Sequence, residues 1–553
     1  MKKYISLLII LLQLQVSAQS KYIKTSTGRP KLVVGIVIDQ MRWDYLYRYK
    51  SRYGEGGFKR LLSEGFSCEN AYIDHLPSYT AVGHSTIYTG SVPAIHGITG
   101  NQWIDQLSGK SIYCTDDSTV RTVGSKSNTG KMSPRNLLVS TITDELRLAT
   151  NFQSKVVGVS LKDRAAILPA GHTANAAFWM DDTTGSFITS TYYMADLPPW
   201  VNDFNSKNIP GQLVENGWNT LYPLHTYIQS SADDVFWEGT FQGEGHPIFP
   251  HHIAEYYKKD HSVIRSTPYG NTLTLKFAKA AIEGYKLGKN TTTDFLTINC
   301  ASTDYVGHMY GPNSIEVEDT YLRLDKDLEM FLNYLDTNLG KGNYLVFLTA
   351  DHGAANTIDY LKQNKIPSNI LDMPKLMKQL DVILDKALGV NGLIISGLNY
   401  HVNYNQSKID ETRLDIDAVK KISVDFLRKQ PGVMYAVDID KIGMAPIAEP
   451  IKTMIINGYN FKRSGPVMIL PDAGWYDFKS KGTTHGNWNP YDTHIPLIFM
   501  GYGIQKGRSN KLVYMHDIAA TIAALLHIQV PNGSIGKPIT AVIEDRATIL
   551  STY

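Results

Sequence analysis

The ten residues Tyr344–Gly353, YLVFLTADHG, restrict the possible fold more than any other stretch of the chain. Leu345 to Leu348 are apolar without interruption and include a β-branched and an aromatic residue. That is the pattern of a strand buried on both faces, as in a parallel sheet covered by helices. The run stops at Asp351 and His352. An ionisable pair at the carboxyl end of a buried strand stands where open α/β sheets place their ligand crevice. Desolvating a carboxylate there is costly unless a cation or a hydrogen-bond donor compensates. Alone, Asp351 could equally cap a following helix, but three more strand-like runs end in the same way. Lys31–Asp39 (KLVVGIVID) ends on Asp39, Ser154–Ser160 runs out into Leu161-Lys162-Asp163-Arg164, and Asp294–Cys300 leads to Asp304 and His308.

Between these strands the chain alternates with helical patterns. Phe58–Gly65, Thr141–Ala149 and Leu273–Leu287 read as helices, as does the stretch marked by Val317, Tyr321, Leu324, Leu328 and Leu335. Phe66–Ile73, Leu393–Val402, Lys452–Gly458, Val467–Leu470 and Ile495–Met500 read as strands, and Asp415–Arg428 and Asp517–His527 as helices. This order predicts one α/β domain over residues 19–553, a doubly wound and mostly parallel sheet sandwiched by helices. Two excursions interrupt it. Residues 171–260 are rich in Trp, Tyr, Asp, Asn and Pro with no helical period, as expected of an inserted cap, and residues 360–480 form the second.

The amino terminus reads as a secretory signal peptide over residues 1–18. Lys2 and Lys3 precede the apolar run Leu7–Leu12 and the small residues Val16-Ser17-Ala18. No later stretch approaches the ~20 apolar residues of a membrane span, so an exported, periplasmic or extracellular protein is expected. Without Lys2 and Lys3 the basic and acidic residues balance. A neutral chain leaves no electrostatic footprint for nucleic acid or an anionic membrane. The three cysteines exclude a disulfide scaffold. Cys300 ends a buried run, which leaves Cys68–Cys114 as the expected pair if one forms. Nothing in the sequence sets the oligomeric state, and a monomer is compatible with it.

The polar residues at strand ends and in neighbouring loops are Asp39, Thr80, Asp304, His308, Asp351, His352 and His485. Three carboxylates and three imidazoles in one crevice would be severely unstable without cations, and a mixed His/Asp set without thiolates suits zinc better than calcium or magnesium. The spacing of Asp304 and His308 lets both reach one ion across a helical turn, whereas the adjacent Asp351 and His352 diverge. Thr80 falls near a helix start, where free N–H groups favour an anion. In an extended backbone Lys162 and Arg164 would point to one side. His84, His172, His246, His251 and His252 read as ordinary satisfied histidines, and Tyr79, Trp103 and Trp179 as core residues or a leaving-group wall.

The stretches Val37-Ile38-Asp39, Pro77-Ser78-Tyr79-Thr80 with Gly83-His84, Asp304-x-x-x-His308, Thr349-Ala350-Asp351-His352-Gly353 and Thr484-His485-Gly486 together resemble the alkaline phosphatase superfamily. The resemblance implies two Zn2+ ions, one held by Asp304, His308 and His485, the other by Asp39, Asp351, His352 and the nucleophile, Thr80. The set Thr80, Asn101, Lys162 and Arg164 resembles the phosphate-irrepressible alkaline phosphatases of flavobacteria. It implies an exported phosphomonoesterase of broad range that works through a phosphothreonine, with Asn101, Lys162 and Arg164 binding the phosphate. Nucleotide pyrophosphatase-type phosphodiesterases also pair a Thr with an Asn and are the alternative. A sulfatase would need Cys or Ser in a Cys/Ser-x-Pro-x-Arg context, which is absent here. A non-catalytic metal- or phosphate-binding protein would have lost a ligand or the nucleophile, and none is missing.

Overall fold

The computed structural model describes residues 28–477 and 481–543, and the expected signal peptide lies outside them. The chain builds a ten-stranded sheet whose middle is five parallel strands, in the order Tyr344–Thr349, Leu32–Ile38, Asp294–Cys300, Val156–Ser160 and Ala176–Asp181. All five are buried at every residue, which is why Leu32–Ile38 and Leu345–Leu348 read as unbroken apolar runs. Leu497–Gly501 runs antiparallel beside Tyr344–Thr349, followed by Phe66–Cys68 and Gly507–Ser509 at that edge. Ser186–Ser190 and Thr122–Val123 complete the other edge.

The parallel register builds the site. Ile38 pairs with Cys300, Val37 with Thr349, and Asn299 with Ser160. The strands therefore finish level with one another, and Asp39, Asp304, Lys162 and Asp351 follow within four residues of those ends. The intervening helices are specified locally. Ser314 accepts from the Val317 N–H to start the helix Ile315–Leu339, and Val317, Tyr321, Leu324, Leu328 and Leu335 are all buried along it. Thr141 and Asp144 form a capping box at the start of Ile142–Ala149.

Residues 176–190, expected to belong to an inserted cap, are instead strands of the central sheet; the irregular segment follows them. Beyond Gln363 lies a separate four-stranded sheet, ordered Ile394–Ser396, His401–Tyr404, Val467–Pro471, Val433–Asp438. The helices Met373–Leu388 and Ile416–Leu427 cover it, and Leu380, Val402, Val419, Leu427 and Ile469 pack between them.

Four local expectations are corrected. Lys452–Gly458 is not a strand but part of the helix Ile451–Gly458, whose Ile451, Met454 and Ile455 are buried at helical spacing. The β-branched residues that favoured a strand were overridden by packing. Phe66–Ile73 is two short strands, Phe66–Cys68 in the main sheet and Ala71–Tyr72 in a three-stranded one. Ile495–Met500 likewise splits at Pro496, which has no N–H for a ladder. Cys68, Cys114 and Cys300 are all buried free thiols. Cys68 packs in the main core and Cys114 in a small cluster with Trp103, so no Cys68–Cys114 bond forms.

The helix Thr80–Thr89 presses on the end of the Tyr344–Thr349 strand at Gly83, where a Cβ would meet the backbone of Asp351. A residue without a side chain is what permits this approach. Gly83→Ala is expected to destabilise the protein by about 1–3 kcal/mol, read as a lowered Tm. An unchanged Tm would mean that the helix can move away freely.

Candidate active site

Thr80 opens its helix at the crevice, 1% exposed, with Tyr79 before it in extended conformation. Its Oγ1 lies 3.5 Å from His352 Nε2 and 3.5 Å from Lys162 Nζ. Asn101 caps the same helix from outside: its Oδ1 accepts the Ala81 N–H at 3.0 Å, which leaves the amide NH2 as its donor end.

His308, His352 and His485 share one arrangement. Nδ1 of His308 meets the Thr483 carbonyl at 2.8 Å, that of His352 the Gly353 carbonyl at 3.0 Å, and that of His485 the Ser78 carbonyl at 2.7 Å. A carbonyl only accepts, so each Nδ1 carries the proton and each Nε2 presents a lone pair. Those lone pairs converge on carboxylates. His308 Nε2 is 3.1 Å and His485 Nε2 3.6 Å from Asp304 Oδ1, and His352 Nε2 is 3.5 Å from both Asp39 Oδ1 and Asp351 Oδ2. The loop supplying His485 is set by Gly482, whose φ of 83° is left-handed and which lies against the His308 carbonyl.

Lys162 and Arg164 do not extend side by side. Lys162 precedes the helix Asp163–Ala170 and Arg164 is inside it, because the strand ends at Ser160 and the chain turns at once. Lys162 is 2% exposed, and its Nζ bridges Asp39 Oδ2 at 2.9 Å and Asp304 Oδ2 at 2.6 Å. Arg164 Nη1 donates to the Tyr113 hydroxyl at 3.1 Å, and that hydroxyl donates to Asp163 at 2.9 Å.

The donor chemistry fits metal ions. Asp304, His352 and His485 form one group with ligand atoms within 4.8 Å of each other, and Asp39, Asp351 and His352 form another. His352 belongs to both. Asp39 Oδ1 and Asp351 Oδ2 are buried and take no hydrogen bond, as expected of oxygens reserved for a cation. His308 stands outside these two groups but against Asp304.

A family model described as type I phosphodiesterase / nucleotide pyrophosphatase matches residues 33–494. The chain belongs to this family. Alkaline phosphatase PafA of Elizabethkingia meningoseptica is 56% identical over 93% of the chain and 95% of its own length. Alkaline phosphatase PhoV of Synechococcus elongatus is 56% identical over 96% of each. A Myroides odoratus protein named calcium-transporting ATPase is 52% identical over 93% of the chain and 95% of its own. The crystal structure of wild-type PafA matches with a TM-score of 0.92 at 55% identity, covering 94% of this chain and 99% of that one. The fold is therefore the alkaline phosphatase-like α/β fold.

In this family member several further residues touch the crevice. Gln40 donates from Nε2 to Asp304 Oδ1 at 2.7 Å and from its backbone N–H to Asp351 Oδ1 at 3.2 Å. His84, read from sequence as an ordinary histidine, is buried with Nδ1 2.8 Å from the Thr80 carbonyl and 3.3 Å from Asp351 Oδ2. The Tyr305 ring lies 4.9 Å from Lys162 Nζ. His84 belongs to the Gly83-His84 motif and stands one helical turn after Thr80, whereas for Gln40 the only signal is its place next to Asp39. Trp103 and Trp179 are core, while Tyr79 lines a cavity of about 550 Å³ that also reaches His485, Met377, Leu398 and Tyr400.

Burial, joined by Asp351, raises the Asp39 carboxyl well above its usual range. Burial would raise Asp304 too, but His308 and Lys162 outweigh it and hold it well below. Burial lowers His352 and His485, so both are neutral donors near pH 7. For His308, burial is outweighed by Asp304 and the imidazole is raised. His352→Ala should lower the metal content after dialysis more than His308→Ala does, because His352 serves both groups.

Proposed function

We propose that the chain is an exported alkaline phosphatase that hydrolyses phosphate monoesters and releases inorganic phosphate. Thr80 is the nucleophile, and Asn101, Lys162 and Arg164 bind the phosphoryl oxygens. Asp304, His308 and His485 would hold one Zn2+, and Asp39, Asp351 and His352 a second. The ions supply the positive charge that lowers the hydroxyl pKa and stabilises the leaving oxygen.

The chain's own groups arrange the rest. Thr80 Oγ1 forms the bond to phosphorus as the ester P–O bond breaks, and the alcohol departs. Water then cleaves the phosphothreonine, freeing Thr80 and phosphate. The helix packing at Gly83 and the Asn101 cap hold Thr80 in place, which converts attack into a positioned, intramolecular event.

The observation that carries the monoester reading is Lys162 Nζ, buried and 3.5 Å from Thr80 Oγ1. A monoester dianion has one more charged oxygen than a diester, and a fixed ammonium with a nearby guanidinium matches it. The two alkaline phosphatase relatives support the same choice over the phosphodiesterase in the family's description. A solved PafA variant with a Thr, an Asn, a Lys and an Arg replaced involves the same four residue types. The relative named as an ATPase is compatible chemically, since the terminal phosphoryl group of ATP also presents a dianion. Among the described residues no helix is long and apolar enough to cross a membrane. The cavity beside His485 leaves room for varied leaving groups.

Comparing kcat/KM for an aryl phosphate monoester with that for the matching methyl aryl diester tests the reading. The monoester should be preferred by several orders of magnitude. Lys162→Ala or Arg164→Ala should lower monoester turnover by roughly 10–150-fold, the worth of a hydrogen bond to a charged group, with far less effect on the diester. Thr80→Ala should abolish turnover while phosphate still binds. Diester preference by the native protein would overturn the assignment.

A further inference from the structure

Asn101 ends a stretch, residues 97–101, with no regular backbone structure between the helix Pro93–His96 and the strand Gln102–Ile104. Gly97, left-handed at φ 80°, and Gly100 add conformational freedom. A donor on such a loop is precise only if other groups hold the loop still. The main domain contributes two bonds to Asn101 itself. Its Oδ1 accepts the Ala81 N–H and its carbonyl accepts the Cys114 N–H, both at 3.0 Å.

The separate sheet unit beyond Gln363 holds the loop from the other side. Arg463 Nη1 donates to the Gly97 carbonyl at 2.7 Å, and Thr99 Oγ1 donates to the Arg463 carbonyl at 3.1 Å. The Gln106 N–H donates to the Lys462 carbonyl at 2.9 Å. Asn399 reaches nearest to Asn101. Its Nδ2 donates to the Gln102 carbonyl at 2.8 Å and lies 3.5 Å from the Thr99 carbonyl, so one amide spans the backbone on both sides of Asn101. A Cβ on Gly100 would collide with this amide, and the close approach therefore requires glycine there.

The turn that presents Asn399 is strained. It leads into the strand His401–Tyr404, and both Asn399 (φ 58°, ψ 29°) and Tyr400 (φ 62°) have left-handed φ. Asn tolerates that region, but a bulky residue such as Tyr seldom enters it. Strain of this kind persists where the surroundings over-determine it, and it concentrates at functional sites. Here the Tyr400 hydroxyl accepts the Asp477 N–H at 3.0 Å on one side of the turn while Asn399 grips the Asn101 loop on the other.

We propose that Asn399 is a positioning residue, through which the inserted sheet unit holds the Asn101 amide against the phosphoryl group. The inference rests on the reading of Asn101 as a phosphate ligand. Asn399 touches no reacting atom, so its whole effect passes through Asn101 and disappears when the Asn101 amide is removed.

A double-mutant cycle on the metal-loaded, full-length protein tests this. Asn399→Gly deletes the amide while glycine keeps the left-handed backbone without strain. It should lower kcat/KM for an aryl phosphate monoester by roughly 3–10-fold, the worth of a neutral hydrogen bond, and weaken inhibition by inorganic phosphate by a similar factor. In an Asn101→Ala background the same substitution should change either quantity by about twofold at most. Asn399→Asp sets a carboxylate against the same two carbonyls and should lower both quantities further than Asn399→Gly, again only where Asn101 is present. If Asn399→Gly does not fold, Asn399→Asp is read in the same cycle. An equal loss in both backgrounds overturns the proposal, because a packing role does not depend on Asn101, and so does no loss in either. An Asn101→Ala protein that keeps native kcat/KM and phosphate inhibition removes the phosphate-ligand reading itself, and the proposal falls with it.

Discussion

The structure depends on compensating negative charge in a place that excludes water. The sheet register puts Asp39, Asp304 and Asp351 at neighbouring strand ends, all 4% exposed or less. Carboxylates that close together in a dry crevice repel strongly. The chain supplies one covalent counter-charge, the Lys162 ammonium between Asp39 and Asp304. It leaves Asp39 Oδ1 and Asp351 Oδ2 without hydrogen bonds and aims three imidazole lone pairs at the same region. The remaining deficit is a built-in demand for metal ions, and the same ions are what phosphoryl transfer needs.

Precision comes from carrying this demand on rigid elements. The acids follow strands buried on both faces, and Thr80 opens a helix packed against one of those strand ends. Backbone carbonyls of Ser78, Gly353 and Thr483 fix the tautomers of the three histidines. A misplaced loop would therefore turn an imidazole as well as lose a contact. The family as a whole includes diesterases, and the scaffold alone does not separate the two chemistries. The buried Lys162 beside Thr80 is the local feature on which the proposed monoester preference rests.

Much of this was legible in the residues. Apolar runs that stop on Asp39, Asp351 and the Asp304–His308 pair announce strand ends, because only a two-sided buried strand is apolar throughout and only a crevice tolerates the acid. The amphipathic period from Val317 to Leu335 marked the long helix for the same reason of one-sided burial. The spacing was less informative where the backbone turns sharply. Lys162 and Arg164 look like a pair on an extended strand, yet the strand ends at Ser160 and the two side chains part, one to the acids and one to Tyr113. Lys452–Gly458 looked β-like from its composition, but burial of Ile451, Met454 and Ile455 on one side made it a helix.

The residues alone were enough for four of the five central strands and for the kinds of donor that end them, since these follow from hydrophobic period and the cost of burying charge, but not for Ala176–Asp181. Only the tertiary structure decided which residues share a ligand, that His352 stands in both donor groups, that Lys162 bridges two acids, and that Gln40 and His84 support them. It also decided that Cys68 and Cys114 sit in separate apolar clusters. These are contacts between residues up to several hundred positions apart. Sheet register and loop closure set them, and no local pattern encodes either.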